Sequence, residues 1–212
     1  MLSLSRIVVG STIPLVIASA AFSAKAGIDL TPAVSEYVAE GAKFQQLTFV
    51  HGKQKIEYEL PLGWSFESSS TQLRLKPPKK MFAEAIINAA PLSNPQPLDK
   101  STVEALKQQF IAGLPPGSQL VTVERELQNV VALGYNNGVD VTVSYQVMGE
   151  KFLRSELVIN LPDTQLIFRF TARKADFDPL ERDFRMSIGS WHSLESVAIT
   201  QLTATVGSAL VH

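Results

Sequence analysis

Residues 174–192, KADFDPLERDFRMSIGSWH, concentrate the polar chemistry of this chain. Asp176 and Asp178 stand two apart, with Glu181 and His192 beyond them. Such carboxylates could converge on a hard cation, which needs several oxygens around one point. The same letters also spell a helix start. Asp178 suits an N-cap, Pro179 the first helical position, and Glu181 the capping-box position. Leu180, Phe184, Ile188 and Trp191 then recur at helical spacing as one apolar stripe. Arg182, Asp183 and Arg185 fall off that stripe, on a solvated face. No loop nearby supplies further oxygens, so the helix is preferred to the metal site. His192 is expected to cap carbonyls at the helix end.

Other candidate chemistry is sparse. The three histidines are His51, His192 and the final residue His212, and a three-His metal site is not expected from them. A Ser-His-Asp triad assembled across the fold stays open, but no G-x-S-x-G elbow occurs. GEKF and GSQL read as turns, not as phosphate-binding loops. KPPKK (76–80) sets Lys76, Lys79 and Lys80 around two prolines. It reads as a stiff solvated loop or as a contact for an anion, a membrane surface or a partner. These three lysines are the residues nominated for partner contact; no catalytic, cofactor or metal residue is nominated. YNNG (135–138) reads as a hairpin turn. Asp140, opposite Val139, Val141 and Val143 in the strand pattern GVDVTVSY, reads as an outward acid. Tyr135, Tyr145 and Phe152 read as sheet packing, with the lining of an apolar pocket as the alternative.

The elements that must position these residues follow from periodicity. TPAVSEYVAEGAKF (31–44) reads as a short helix or a leader: Thr31 caps, Pro32 starts and Gly41 stops it. Strands follow at 44–50 and 55–61, where Ile56, Tyr58 and Leu60 alternate with charged residues. Trp64 and Phe66, then Leu73 and Leu75, mark two more strands around SSST. AEAIINAAPL (83–92) is apolar enough for a central strand. A helix over 98–117 is predicted, with Ser101 and Glu104 as a capping box and Val103, Leu106, Phe110, Ile111 and Leu114 on one face. From 119 to 173 four period-2 segments with short turns predict an antiparallel meander. The total is about seven or eight strands, one internal helix and one C-terminal helix. ESVAITQLTATVGSALVH (195–212) reads as a tail.

Composition bounds the rest. With 212 residues, 45% hydrophobic and 18% charged, the chain suits one globular domain. Residues 1–26 differ: Arg6 precedes an uncharged run, 7–22, and Ala24 and Ala26 form a small-x-small cleavage pattern. This predicts a secretory signal peptide cleaved after Ala26. The run is shorter than the roughly 20 residues of a membrane span. With no cysteine, neither disulfides nor thiolate metal sites are possible. Removing Arg6 and Lys25 from the 19 basic residues leaves 17 against 20 acidic ones, a net of −3. That balance gives no reason to expect a nucleic-acid partner.

Two segments carry a family resemblance. YELPLGWSFES (58–68) is similar to a P-x-G-W strand-turn, and FTARKADFDPLERDFRMSIGSWHSL (170–194) to a closing strand, linker and helix. Over 44–194 the chain resembles PsbP-like domains. That family is named for an extrinsic photosystem subunit and shares its fold with a nuclear Ran-binding factor. The resemblance implies an α+β fold, an antiparallel sheet of about seven strands flanked by helices as an α/β/α sandwich. It also implies use as a binding or assembly module rather than an enzyme. No partner-binding or ion-binding residue of the family falls on a matching position. The expectation is therefore a periplasmic or secreted, non-enzymatic module without a cofactor, engaging a protein or other envelope component. A small-ligand carrier and a hydrolase with a dispersed site are the alternatives.

Cleavage after Ala26 gives a mature chain that begins at Gly27. N-terminal sequencing of protein recovered from producing cells checks this, and a chain still starting at Met1 rules it out.

Overall fold

The computed structural model describes residues 27–93 and 98–193. The expected signal peptide (1–26) and tail (195–212) lie outside them. The described elements are β1 (Asp29–Ala39), β2 (Ala42–His51), β3 (Gln54–Glu59), β4 (Ser65–Ser68), β5 (Gln72–Lys76), β6 (Glu84–Pro91), α1 (Lys100–Ala112), β7 (Gln119–Ala132), β8 (Tyr135–Val147), β9 (Glu150–Asn160), β10 (Thr164–Arg173), α2 (Lys174–Ile188) and β11 (His192–Ser193). They form two antiparallel sheets: a four-stranded one, β1-β2-β3-β11, and a seven-stranded one, β4-β5-β6-β10-β9-β8-β7. The meander over 119–173 is present, and β6 is an interior strand.

The N-terminal helix expected at 31–44 is instead a hairpin. Glu40 (φ 51°) and Gly41 (φ 78°) make its two-residue turn, with Ala39 facing Ala42. Positive φ at both turn positions matches the twist of the strands, and Gly41 serves that turn rather than a helix stop. Pro32 is tolerated because β1 is an edge strand and its register is broken between Asp29 and Ala33. Cross-strand pairs hold the hairpin: Tyr37 stacks on Phe44 at 5.3 Å and Lys43 pairs with Glu36.

Three other expectations shift. YNNG is not a turn; it opens β8, and the turn is Leu133-Gly134, both with positive φ. Gly138 lies in the strand because a Cβ there would come within 2.8 Å of the Val130 carbonyl. α1 is capped by Asp99, not Ser101. The Thr102 N–H donates to Asp99 Oδ1 at 2.8 Å, and the Ser101 hydroxyl donates to the same oxygen. α2 starts at Lys174, so Asp178 and Pro179 lie inside it. Pro179 gives up one backbone bond there. In exchange Phe177 joins Phe184 on the buried face, both against Phe170 at 5.4 and 6.0 Å. Asp176 then occupies the first turn, where a carboxylate suits the helix dipole.

One large core lies between the two sheets and under α2. It joins Leu47, Phe49, Ile56 and Tyr58 of the small sheet to Leu73, Ile87, Phe168 and Phe170 of the large one. A second cluster packs Val103, Phe110 and Leu114, in or just past α1, on Val139, Val141, Val143 and Tyr145 of β8. Trp191, just past α2, closes the main core. Its ring lies 5.4 Å from Phe49, 5.8 Å from Tyr58 and 5.7 Å from Phe168. Ser187 gives its proton to the Phe184 carbonyl at 2.7 Å, so the buried Tyr58 hydroxyl must donate to Ser187 Oγ, also at 2.7 Å. Ser190 Oγ accepts the Glu59 N–H at 2.8 Å. His192 then pairs with Glu57 on β3 and extends the small sheet, while its Nδ1 lies 2.6 Å from the Ser190 carbonyl just past the helix end, as the carbonyl-capping expectation had it.

Trp191→Ala is expected to cost about 3–5 kcal/mol of unfolding free energy in urea titrations. A loss under about 1 kcal/mol would mean that the sheets are held together elsewhere.

Candidate functional site

The face of the large sheet turned away from the main core carries the nominated lysines. Strand register sets Val143, Arg154, Thr171 and Glu84 abreast on that face. The next row outward holds Tyr145, Phe152 and Arg173. α1 covers the β8 side of this face. Over β10 and β6 it stays open, and the β5–β6 loop rises beside it. The result is an open hollow of about 750 Å³, lined by Lys76, Pro77, Lys79, Lys80, Met81, Phe82, Ala83, Glu84 and Thr171.

Its cations are held unequally. Lys76 pairs with Glu67 at 2.7 Å and Lys80 with Asp176 at 2.6 Å. Lys79 has a left-handed backbone (φ 57°) and no ion pair among the described residues. The Arg173 guanidinium lies 4.1 Å over the Phe82 ring. Its Nε is buried without a hydrogen-bond partner, and Glu150 is 3.8 Å away. Arg154, beside Thr171 of the lining, bonds only to neutral acceptors: Nε to Thr171 Oγ1 at 3.0 Å and Nη1 to the Gly113 carbonyl at 2.9 Å. Burial holds its pKa below the ordinary arginine value and raises that of Tyr145, whose ring it overlies at 5.8 Å. A guanidinium stays charged even so. Two apolar tips stand beside these cations, Met81 at 89% and Phe82 at 50% exposure. The lining suits an acidic group held next to an apolar one.

The metal constellation is not assembled. Asp176 serves Lys80, Glu181 serves two arginines, and His192 Nε2 sits 3.2 Å from Glu57. His51 Nε2 lies 3.0 Å from Asp163, bridging the small sheet to the β9–β10 turn. Among the described residues no group of three or more His, Cys, Asp or Glu could hold a metal ion. Tyr145 and Phe152 stack at 5.8 Å, as cross-strand packing.

Asp140 overturns its expected exposure. It is 5% exposed, beneath α2. Arg185 donates to it at 2.9 Å, and Arg125 reaches both it and Glu181. Glu181 also accepts from Arg185 at 3.0 Å. Burial works against the charge of Arg125, yet Asp140 and Glu181 prevail and raise its pKa. Arg185, expected on a solvated face, is thus a tie between α2 and β8. The sequence held one signal for this: an acid within a valine-rich strand needs a partner once both faces are covered. Nothing in the sequence marked Arg125 or Arg154.

No family model matches the chain, and comparison with curated proteins finds no match. Among solved structures, the chain is similar to PA94 of Pseudomonas aeruginosa, a protein of unknown function. The likeness has a TM-score of 0.45 and 16% identity, over 74% of this chain and 94% of that one. At that level it carries no conclusion about fold or function.

The two kinds of ion pair should separate in stability measurements. Arg185→Met leaves buried carboxylates short of a partner and is expected to cost about 3 kcal/mol. Lys80→Ala breaks an exposed pair and should cost under about 1 kcal/mol. Equal losses in urea titrations would contradict this division.

Proposed function

We propose that this protein is an exported, non-enzymatic binding module of the PsbP-like kind, engaging an envelope component through the β5–β6 loop. The observation that carries the proposal is the hollow itself: Met81 and Phe82 protrude between Lys79, Lys80 and the Arg173 guanidinium. An exposed apolar patch rimmed by polar and charged side chains is a mark of an interaction site. The α/β/α sandwich is part of the same proposal. What supports it is β8: Val139, Val141 and Val143 pack on α1, while Asp140 between them meets Arg185 of α2. The partner is a protein or another envelope component. A small acidic ligand is the second reading, favoured by Arg154, whose guanidinium has no carboxylate partner among the described residues.

The test is affinity capture from the producing cell's envelope fraction, comparing the natural chain with Lys79→Glu/Phe82→Ser. A reproducible partner lost with that variant is the expected result. An inert monomer that captures neither protein nor ligand would sink the proposal.

A further inference from the structure

One end of the large sheet gathers exposed apolar residues that strand bodies do not explain. β5 and β10 finish there and β6 and β9 begin there; β8 ends there and β7 starts beside it. Met81 and Phe82 stand on the β5–β6 loop, at 89% and 50% exposure. Met148, wholly exposed, sits in the β8–β9 turn, and Leu120, at 76%, next to it at the start of β7. Leu62, at 57%, stands on the turn beside Pro78, since a Cβ on Gly63 would lie 3.8 Å from that ring. The β5–β6 and β8–β9 turns are roughly 15 Å apart across the intervening strands. The opposite end differs. Its turns carry Ser69 to Thr71 and Pro162-Asp163, Leu133 there packs against the core, and the exposed apolar residue beside them, Val131 at 73%, belongs to the body of β7.

Charge at the apolar end is biased to one sign. Glu124, Glu150 and Asp176 each face a cation: Lys151, Arg173 and Lys80. Lys79 and Lys174 are left without an ion pair among the described residues. Asp178, farther along α2, is the exposed acid that opposes them. Single apolar tips on separate turns, interleaved with lysines, would each need its own pocket on a protein partner. A fluid lipid surface accepts each tip independently, while lysines meet its phosphates.

We infer that this end of the sheet rests on an anionic lipid surface, with Met81, Phe82, Met148, Leu120 and Leu62 dipping into the headgroup layer. The inference rests on the binding-module reading and specifies the envelope component it engages as a bilayer.

The experiment is co-sedimentation of the full chain with vesicles of phosphatidylcholine alone or mixed with phosphatidylglycerol. Binding is expected on the mixed vesicles only and should weaken as salt is raised. Lys79→Glu/Lys174→Glu should lower the partition coefficient about tenfold or more, and Phe82→Ser/Met148→Ser should lower it several-fold. Lys53→Glu, in the β2–β3 turn, should leave it unchanged. Equal binding to both vesicle types, or variants at this end indistinguishable from Lys53→Glu, would overturn the inference. If vesicles fail to bind while envelope capture finds a protein lost with Lys79→Glu/Phe82→Ser, the lipid surface is wrong and the binding module stands.

Discussion

The two sheets share no strand; beside the backbone bond from the Leu30 N–H to the Ser70 carbonyl, their union depends on side chains, and Trp191 supplies the central contact. Its indole meets Phe49 and Tyr58 on one sheet and Phe168 on the other. It can do so because α2 ends three residues earlier, at Ile188, and Ser187 and Ser190 tie that end to β3. An aromatic ring buries a large apolar area and tolerates tilted and edge-on neighbours. That tolerance lets one residue join strands running in different directions. The placement of α2, and of everything α2 covers, follows from this closure.

α2 in turn divides the large sheet into unlike faces. Beneath it the polar layer is satisfied internally: Asp140 and Glu181 share Arg125 and Arg185, so charge there fixes the helix and offers little to a ligand. On the other face α1 stops short of β10 and β6. There the cations have fewer carboxylate partners, and the loop carrying Met81 and Phe82 stands open. The side chains of β8 alternate between the two faces: Asp140 meets Arg185, while Val139, Val141 and Val143 pack under α1.

How much of this was legible in the sequence depended on how local each determinant was. The meander from 119 to 173 was readable because one face of each strand is apolar and short turns punctuate it. The stripe Phe184, Ile188 and Trp191 was readable for the same reason. The start of α2 was not, since Phe177 is helical in order to meet Phe170 on another strand. β1 was misread because an edge strand exposed on most of its length shows no period, and Gly41 serves a helix stop and a hairpin equally well. Asp140 looked outward because its cover lies 45 residues away in Arg185. The lysines of KPPKK were visible as a loop. Thr171 was invisible as part of their lining, and Arg154 as its neighbour, because only strand register brings the two abreast.

The small sheet also sets the order of assembly. Its last strand, β11, is the last described element of the chain, and Ser190 reaches Glu59 across 131 residues. Contacts of such separation close late, because the intervening chain must be ordered first. β1, β2 and β3 can pair as they emerge from the ribosome, but the cover of their inner face is completed only when Trp191 has been synthesised. The last aromatic contacts of that face thus form only once the chain has been made as far as Trp191.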